Sequence, residues 1–323
     1  ARNIGEAIVD AELIIVDHSE FNLYRVEQII KNYSINTHYL LATLCEGAKV
    51  DEIVSKYKPD IIFHAAAYKH VPILERQPRE AVINNVIGTK NIADAAGKFQ
   101  CKKFVLISTD KAVNPTNVLG ATKRAAEMYI ELLNSSYETK YMTVRFGNVL
   151  DSEGSVVPLF REQIRKGGPV TVTHPDITRY FMTIPEACQL ILQASSIGNG
   201  GEIFVLDMGE PVKISFLAEK MINLSGLTHD KDIKIEYTGL RPGEKLFEEL
   251  FYKAEKIENT SHKKIFIAKY LALDANELNK KITKLISLSE NFNYELIEST
   301  LQELVPYKKT SSDNIILINE IRN

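Results

Sequence analysis

Short apolar runs rich in β-branched residues alternate with longer amphipathic stretches along the first half of the chain. The short runs have the length of buried strands, and the longer stretches have the apolar spacing of helices. The elements predicted in this way are strands at Glu12–Asp17, Pro59–Ala67, Lys103–Ser108 and Lys140–Phe146, and helices at Phe21–Asn32, Arg79–Phe99 and Thr122–Ser135. A repeated strand–helix order predicts βαβ units, and therefore a doubly wound α/β fold around a parallel sheet.

Beyond Asn148 the alternation loosens and the predicted elements become shorter. They are helices at Pro158–Lys166, Ile184–Ser195, Ile214–Leu224 and from Lys245, strands at Ile203–Asp207 and Ile233–Tyr237, and a polar C-terminal stretch. We expect residues 1–150 to form a Rossmann-like dinucleotide-binding domain. Residues 151–323 should mainly form a smaller α/β substrate lobe, with some elements returning to the first domain.

Charge and composition exclude several classes of protein. The 39 basic and 42 acidic residues give a net charge of −3, which argues against a nucleic-acid or anionic-membrane surface as the main partner. The three cysteines show no paired spacing and the seven histidines no ligand spacing, so we expect reduced thiols and no metal site. No apolar run approaches the ~20 residues of a membrane span and no signal peptide opens the chain, so we expect a soluble, cytoplasmic domain.

The N-terminus departs from the pattern of a dinucleotide-binding domain. Such a domain begins with a strand and a glycine-rich turn, whose N–H groups and following helix start hold a pyrophosphate. This chain begins with ARNIG (1–5) and has no strand before it. Gly5 fits the last glycine of G-x-x-G-x-x-G and is a candidate cofactor contact, but the middle glycine would fall on Arg2. We expect that the first strand and the glycine-rich loop are missing from this sequence, the alternative being a damaged cofactor site.

Residues with acid–base chemistry follow the predicted strand Lys103–Ser108. Thr109, Asp110 and Lys111 come directly after it, and open α/β sheets bind ligands at the carboxyl ends of their strands. A carboxylate and an amine in adjacent positions supply both halves of a general acid–base reaction. Lys123 in the next helix adds a positive charge that would lower nearby pKa values. We predict a catalytic site formed by these four side chains.

Seven motifs occur in a consistent order between residues 16 and 250. They are VDHSEFNLY (16–24), HAAAYKHVPILE (64–75), NNVIGT (84–89), STDKAVNPTNVLGATKR (108–124), RFGNVLDSEGSVVPLF (145–160), TRYFMTIPEA (178–187) and RPGEKLFEEL (241–250). In these motifs the chain resembles the nucleotide-sugar 4,6-dehydratases, the polysaccharide-biosynthesis branch of the extended short-chain dehydrogenases. That branch converts UDP-N-acetylglucosamine to its 4-keto-6-deoxy derivative for capsule, O-antigen or glycan synthesis.

The resemblance implies a nicotinamide dinucleotide, NAD or NADP. Asp17 ends a strand, where a carboxylate accepts hydrogen bonds from a ribose 2′-OH and repels a 2′-phosphate, so NAD is favoured; the alternative is a loop aspartate that caps the next helix. Ala65 and Ala66 would let the backbone approach the dinucleotide, and Lys123 would hydrogen-bond the nicotinamide ribose. Thr43 replaces an aspartate on the adenine side of the family's site, which should weaken cofactor binding.

Four residues are candidates for contact with a UDP-sugar substrate. Lys69 follows a strand end and suits a diphosphate or sugar, the alternative being a solvated surface lysine. Asn148 lies in the segment that lines the nucleotide in the resembling family. Arg179 and Arg241 would clamp the pyrophosphate, because guanidinium groups make bidentate, permanently charged contacts; a structural ion pair is the alternative for Arg179. Glu244 is expected to be a charge at a helix N-terminus rather than a ligand.

Leu119 is the main departure from the resembling family. Short-chain dehydrogenases use Tyr-x-x-x-Lys, and LGATK (119–123) keeps the lysine but lacks the tyrosine that transfers a proton. The resemblance implies that, after oxidation at C4, Lys111 abstracts the C5 proton and Asp110 protonates the departing C6 hydroxyl. The pKa of Lys111 would have to be lowered and that of Asp110 raised. The C4-OH proton would go to Thr109, Asp110 or water.

The resemblance also implies partners and a location. The helices Arg79–Phe99 and Thr122–Ser135 are of the kind that pairs in homo-oligomers of this superfamily. Membrane-anchored relatives carry transmembrane helices before this domain, so the cytoplasmic face of a membrane is the expected location if the native protein has such an anchor. Two alternative functions remain: a nucleotide-sugar epimerase, which the Asp-Lys pair disfavours, and a catalytically dead nucleotide-sugar-binding pseudoenzyme, which Leu119 and the missing glycine loop favour.

Overall fold

The computed structural model of the protein describes residues 11–269 and 274–307. Its strands are β1 Glu12–Asp17, β2 Asn36–Leu41, β3 Ile61–His64, β4 Lys103–Ile107, β5 Lys140–Arg145, β6 Asn148–Val149, β7 Val170–Val172, β8 Thr178–Arg179, β9 Phe181–Met182, β10 Ile203–Leu206, β11 Val212–Lys213, β12 Ile235–Tyr237, β13 Lys256–Asn259 and β14 Ile265–Lys269. Its α-helices are α1 Glu20–Ile30, α2 Gly47–Tyr57, α3 Val71–Leu74, α4 Pro78–Val82, α5 Gly88–Lys98, α6 Val118–Leu133, α7 Val156–Arg165, α8 Ile184–Ile197, α9 Ile214–Leu224, α10 Ala275–Glu290 and α11 Tyr294–Leu304. The predicted cofactor residue Gly5 lies outside the described residues.

A six-stranded sheet with the order β13-β14-β10-β5-β4-β3 forms the centre of the protein. Strands β3, β4, β5 and β10 are parallel, and β14 and β13 are antiparallel to their neighbours. Strands β1 and β2 form a separate parallel pair, and no strand among the described residues joins this pair to β3. The predicted α/β fold with a mostly parallel sheet is confirmed, while the expectation that a first strand and a glycine-rich loop are missing from this sequence stays a prediction.

Both faces of the central sheet are buried under helices. Along β4, Phe104 and Leu106 belong to an apolar cluster with α5 and α6, whereas Val105 belongs to a second cluster with α8. Consecutive strand residues point to opposite faces, so a continuous apolar strand such as KFVLI needs cover on both sides. This packing fixes the carboxyl ends of β4 and β5 side by side at one edge of the sheet.

The C-terminal stretch was predicted only as polar, and its helices were not predicted. It forms the helices α10 and α11, whose apolar residues belong to the cluster that includes α6: Leu278, Ile282, Leu285, Ile297, Leu301 and Leu304. Their spacing of three and four residues gives a narrow apolar stripe that an overall polar composition conceals. The hairpin covers a helix that was expected to pair between subunits, and homo-oligomerisation stays a prediction.

A helix predicted from Lys245 is absent. Residues 241–255, which we call the strap, contain turns but no helix. The strap crosses the segment that leads into α6: Thr116 Oγ1 and Asn117 Nδ2 donate to the Gly243 carbonyl oxygen at 2.9 and 2.8 Å. The charged pattern is helix-like, but hydrogen bonds from another part of the chain hold the strap's backbone in an irregular course.

Other boundaries also differ from the prediction. β2 and α2 were not predicted, and a π-helical turn at Ile83–Ile87 interrupts the helix predicted at Arg79–Phe99. α6 begins at Val118, before the predicted start, because the Asn117 side chain caps it by accepting from Gly120 N at 2.8 Å. The domain division at residue 150 stays a prediction. No helix among the described residues is long and apolar enough to cross a membrane.

A fully buried arginine at the end of β5 joins three parts of the fold. Arg145 Nε and one terminal nitrogen donate to the Glu127 carboxylate at 2.8 and 2.7 Å, and the other terminal nitrogen donates to Glu255 at 2.9 and 3.0 Å. Ser108 Oγ donates to the same Glu127 at 2.6 Å. Burial acts to raise the pKa of Glu127, but the Arg145 guanidinium outweighs it and lowers that pKa to about 2. These bonds connect β5, α6 and the strap beneath the end of β4.

We expect the substitution Arg145→Met to destabilise the protein by about 3–5 kcal/mol, because it removes the arginine partner of the buried Glu255 and leaves Arg124 to pair with the buried Glu127. Arg161→Met is the matched control, since Arg161 pairs with Asp151 at 3.0 Å on the exposed surface, where such pairs contribute roughly 0–1 kcal/mol. Urea unfolding followed by circular dichroism measures both. Equal losses for the two variants would contradict the structural role of Arg145.

Candidate active site

The chain after β4 continues alongside β5 and then turns sharply. Ser108 N donates to Val144 O at 2.8 Å, and Asp110 N donates to Phe146 O at 3.0 Å. Thr109 then caps a 3-10 turn over Asp110–Ala112, with its hydroxyl accepting from Lys111 N at 3.4 Å. The turn therefore presents Asp110 and Lys111 at the carboxyl ends of two adjacent parallel strands, the edge where open α/β sheets bind ligands.

Lys111 lies at the centre of a polar cluster. Its Nζ donates to Asp110 Oδ1 at 3.0 Å and to Asn148 Oδ1 at 3.2 Å, and it lies 3.5 Å from Glu248 Oε1. Thr109 Oγ1 donates to the same Asp110 oxygen at 2.9 Å. The structure thus brings together three predicted catalytic side chains and one predicted substrate side chain. Glu248, which belongs to the strap, was not predicted.

Two carboxylate oxygens in this cluster have no hydrogen-bond partner among the described residues. Asp110 is completely buried, and its Oδ2 accepts no hydrogen bond. Glu248 is 8% exposed, and its Oε2 is likewise unpartnered. Leaving a buried polar group unpaired costs on the order of 1–3 kcal/mol. Such groups are rare in folded proteins, and one explanation for them is a functional role.

The pKa of Lys111 was predicted to be lowered, whereas the charges around it have the opposite effect. Burial acts to lower it, but the negative charges of Asp110 and Glu248 outweigh both burial and the opposing charge of Arg179, and they raise the pKa of Lys111 above its ordinary value. The tertiary structure places a second carboxylate, that of Glu248, beside Lys111. Lys111 is therefore an ammonium group.

Arg179 is already engaged in ion pairs. Its guanidinium donates to Thr178 O at 2.7 Å and lies 3.6 Å from Glu244 and 3.7 Å from Glu248. The prediction that Glu244 lies at a helix N-terminus was wrong, because the strap is not helical; Glu244 instead also accepts from the backbone N of Arg241 at 3.1 Å. The Arg241 side chain is exposed. Arg179 thus links the strap to the Lys111 cluster.

Lys123 and His64 lie beneath the carboxyl edge of the sheet. Lys123 Nζ donates to Ile107 O at 2.6 Å, and burial, partly opposed by the charge of Glu127, lowers its pKa to about 8. His64 shares a hydrogen bond of 2.8 Å with Thr89 Oγ1. Burial, followed by the charge of Lys123, lowers the pKa of His64 to about 3. His64 is therefore a neutral core histidine, and Lys123 is close to its titration point at neutral pH.

The predicted cofactor residues Asp17, Ala65 and Ala66 lie at the carboxyl ends of β1 and β3. Asp17 Oδ1 accepts from Ser19 N at 2.8 Å, but the cap of α1 is Ser19 itself. Ala65 and Ala66 are exposed in the loop after β3. Their small side chains leave the backbone of this loop open to a ligand.

Lys69 and Leu119 lie outside the hydrogen-bonded cluster around Lys111. Lys69 is exposed, and its Nζ donates to the backbone oxygen of Glu153 at 2.6 Å. Leu119 is 4% exposed and belongs to the apolar cluster with α5 and α6. In this state the residue at the tyrosine position of the short-chain dehydrogenases contributes to packing.

The start of α6 approaches the catalytic turn so closely that only glycine fits at Gly120. A Cβ atom there would lie 2.2 Å from Lys111 O and 2.9 Å from Pro115 Cβ. The sequence contains this glycine within the LGATK motif, but its spacing alone does not show which backbone it contacts. Glu248 was missed for a similar reason. The sequence does not show which of the two adjacent glutamates in FEEL (247–250) faces Lys111, because the course of the strap decides it.

We expect Gly120→Ala to destabilise the protein by about 1–3 kcal/mol, the cost of overpacking, although alanine ordinarily stabilises a helix by roughly 0.5–1 kcal/mol over glycine. Gly47→Ala is the control: it also lies in a helix, but its Cβ would contact only the Asn91 side chain at 3.5 Å, so it should be neutral or stabilising. Urea midpoints measure both. Stabilisation by both substitutions would show that the turn is not held as described.

We expect His64 to remain neutral down to about pH 3, whereas an unfolded histidine titrates near 6.5. Between these values the unfolded state binds more protons, so the stability contributed by neutral His64 is complete above pH 6.5 and is lost as the pH falls towards 3. Proton NMR of the imidazole C2–H, assigned with a His64→Asn variant, should show no midpoint between pH 5 and 8. A midpoint near 6.5 would contradict the buried hydrogen bond to Thr89.

Comparisons with known proteins agree on one family. The family model described as "Polysaccharide biosynthesis protein" matches residues 3–270. The capsular polysaccharide biosynthesis protein CapD of Staphylococcus aureus is 49% identical over 288 residues, which are 88% of this chain and 47% of CapD. The probable polysaccharide biosynthesis protein EpsC of Bacillus subtilis (strain 168) is 52% identical over 261 residues, 80% of this chain and 44% of EpsC. The chain therefore spans less than half the length of these two curated relatives.

A solved structure extends the comparison to three dimensions. The X-ray structure of Pen from Bacillus thuringiensis superposes with a TM-score of 0.72 and 33% sequence identity, and the match covers 84% of this chain and 88% of Pen. The similarity therefore extends over most of both chains.

Proposed function

The chain belongs to the polysaccharide biosynthesis protein family, and we propose that it is a nucleotide-sugar 4,6-dehydratase domain. Its substrate would be UDP-N-acetylglucosamine and its product a UDP-4-keto-6-deoxy-N-acetylhexosamine. The product would supply the synthesis of a capsule or another surface glycan, as the names of CapD and EpsC suggest for those relatives. The proposal concerns this domain, because the relatives are about twice as long.

The buried Asp110–Lys111 pair carries this proposal. Asp110 Oδ1 already accepts from Thr109 and Lys111, while Oδ2 has no partner among the described residues. A substrate hydroxyl could complete the coordination of Oδ2 and exchange a proton with it. Loss of water from a sugar needs a base for a carbon-bound proton and an acid for the departing hydroxyl, and a carboxyl beside an amine provides both.

A nicotinamide dinucleotide fits the carboxyl edge of the sheet. The open backbone after β3 at Ala65 and Ala66, the carboxylate of Asp17 and the buried Lys123 would hold it, with NAD favoured because Asp17 repels a 2′-phosphate. When bound, it would supply a hydride acceptor and donor for the sugar. Lys123 would orient the nicotinamide ribose, and its pKa of about 8 leaves most of this side chain charged at pH 7.

Lys111 and Asp110 would divide the elimination between them. Lys111, once neutral, would remove the C5 proton of the 4-keto sugar, and the electron pair of that C–H bond would move towards the ketone. Asp110, once protonated, would give its proton to the C6 hydroxyl, which leaves as water. Arg179 would exchange its contacts with Glu244 and Glu248 for the substrate diphosphate, and Asn148 would contact the nucleotide.

The leucine at position 119 requires another route for the C4-OH proton. Leucine cannot accept a proton, so Thr109, Asp110 or a water would have to take it. Thr109 Oγ1 lies 2.9 Å from Asp110 Oδ1, so the hydroxyl and the carboxylate form a continuous path. This path lets a site without the tyrosine remain active, in contrast to the alternative of a nucleotide-sugar-binding pseudoenzyme.

Proton NMR tests the reaction directly. The protein is incubated with UDP-N-acetylglucosamine and NAD⁺ in D₂O, and we expect a 4-keto-6-deoxy product with deuterium at C5. The coupling constants of the product report whether C5 is retained or inverted. A C4 epimer without loss of water would instead support a 4-epimerase. Unchanged substrate, with cofactor binding shown by calorimetry, would support a pseudoenzyme.

We expect Asp110→Asn to lower kcat by about 10²–10⁴-fold, the usual contribution of a general acid or base. Asp60→Asn is the matched control, because Asp60 also pairs with a lysine, Lys102, but at 71% exposure, and it should leave kcat unchanged. Product formation is followed by NMR or chromatography at substrate saturation. Equal activity of Asp110→Asn and the control would remove Asp110 from the mechanism.

A further inference from the structure

Glu248 joins the two cationic side chains of the candidate site. Its Oε1 lies 3.5 Å from Lys111 Nζ and 3.7 Å from Arg179 Nε. Its carboxylate is almost completely buried, at 3% side-chain exposure. A buried carboxylate is costly unless it is paired, so its position between two cations is a strong electrostatic constraint.

The strap fixes Glu248 onto the catalytic turn. Lys245 Nζ donates to Val113 O at 2.8 Å, and Tyr252 OH donates to Ala112 O at 2.7 Å. These bonds lie on either side of Glu248 along the chain, and both end on the segment that directly follows Lys111. Glu248 is thus held against Lys111 by hydrogen bonds from neighbouring side chains of the strap, which do not depend on the charge of Glu248.

The charges around Lys111 come from three elements. Asp110 lies on the same turn, Glu248 on the strap and Arg179 on β8, and the two carboxylates dominate. Asn148 completes the surroundings with a neutral oxygen acceptor. Asp110 is the proposed acid and also bonds to Thr109. Removal of the Glu248 carboxylate therefore changes the electrostatic surroundings of Lys111 and leaves the proposed acid in place.

From this arrangement we propose that Glu248 is a positioning residue that holds the Lys111 ammonium in place and decides the pH at which Lys111 becomes a base. The effect of Glu248 on catalysis rests on the proposed dehydratase function, whereas its effect on the protonation of Lys111 does not. The ion pair itself is a property of the protein without substrate. A base must lose its proton before it acts, so a second carboxylate beside Lys111 moves that step to higher pH.

The protonation of Lys111 is measurable without any substrate. Lys111 is 19% exposed, so acetic anhydride at limiting concentration labels its neutral amine, and mass spectrometry of the Lys111 peptide across pH gives its titration midpoint. We expect Glu248→Gln to shift this midpoint down by about one pH unit or more. Glu248→Asp keeps the charge, so its midpoint should lie close to that of the wild-type protein. An unchanged midpoint in Glu248→Gln would overturn the proposal.

Glu249→Gln is the matched control. Glu249 is the adjacent residue, but its oxygens accept from Asn114 at 2.9 Å and Lys245 at 3.3 Å, and it is 43% exposed. Its substitution should leave the Lys111 midpoint unchanged. An equal shift in both variants would mean that any change of charge on the strap acts on Lys111, which would also overturn the specific role of Glu248. Circular dichroism confirms the fold of each variant, and Glu248→Ala, which also removes the charge, replaces Glu248→Gln if that variant does not fold.

The pH dependence of turnover separates this proposal from the proposed function. If both hold, the acidic limb of kcat/KM for UDP-N-acetylglucosamine moves to lower pH in Glu248→Gln by the same amount as the labelling midpoint. If labelling shifts but the wild-type protein does not turn over this substrate, the ion pair stands and the dehydratase proposal fails. If turnover occurs with an unshifted limb, Glu248 does not control the base.

Discussion

The buried bonds of Arg145 hold together the parts on which the site depends. Arg145 extends from the end of β5 and is paired with Glu127 of α6 and Glu255 of the strap. Glu127 in turn accepts from Ser108, the residue before the catalytic turn. A charge buried this deeply requires both partners, because an unpaired ion in a low-dielectric interior is strongly unfavourable. The strand, the helix, the turn and the strap are therefore fixed relative to one another.

The Lys111 cluster differs from this network in how completely its carboxylates are paired. Around Arg145 the hydrogen bonds use both oxygens of both carboxylates, whereas Asp110 and Glu248 each keep one buried oxygen without a partner among the described residues. The first arrangement stabilises the fold, and the second leaves capacity for a ligand at a cost in stability. The strap connects the two, since it carries both Glu255 and Glu248. The course of the strap therefore determines both the buried network and the site.

Local patterns predicted the elements with the strongest periodicity. Strand β1 and helix α9 have the predicted bounds, and β3, β4 and β5 differ from the prediction only at their ends. Short apolar runs rich in β-branched residues form strands that are buried within the sheet. The turn after β4 was also located correctly, since parallel strands expose their carboxyl ends at one edge. Predictions failed where distant contacts decide the conformation. The strap has a helical charge pattern but bonds to the start of α6, and the stripe of α10 is too narrow to stand out in a polar stretch.

The sequence by itself determined the α/β architecture, the location of Thr109, Asp110 and Lys111 at a strand end, and the family. These depend on short-range order, on periodicity and on motifs that can be read along the chain. Only the tertiary structure decided that Glu248 faces Lys111, that Arg179 is held in ion pairs and that the pKa of Lys111 rises. Those properties depend on the distance between charges that lie more than sixty residues apart in the sequence, and burial sets their strength, neither of which local sequence encodes.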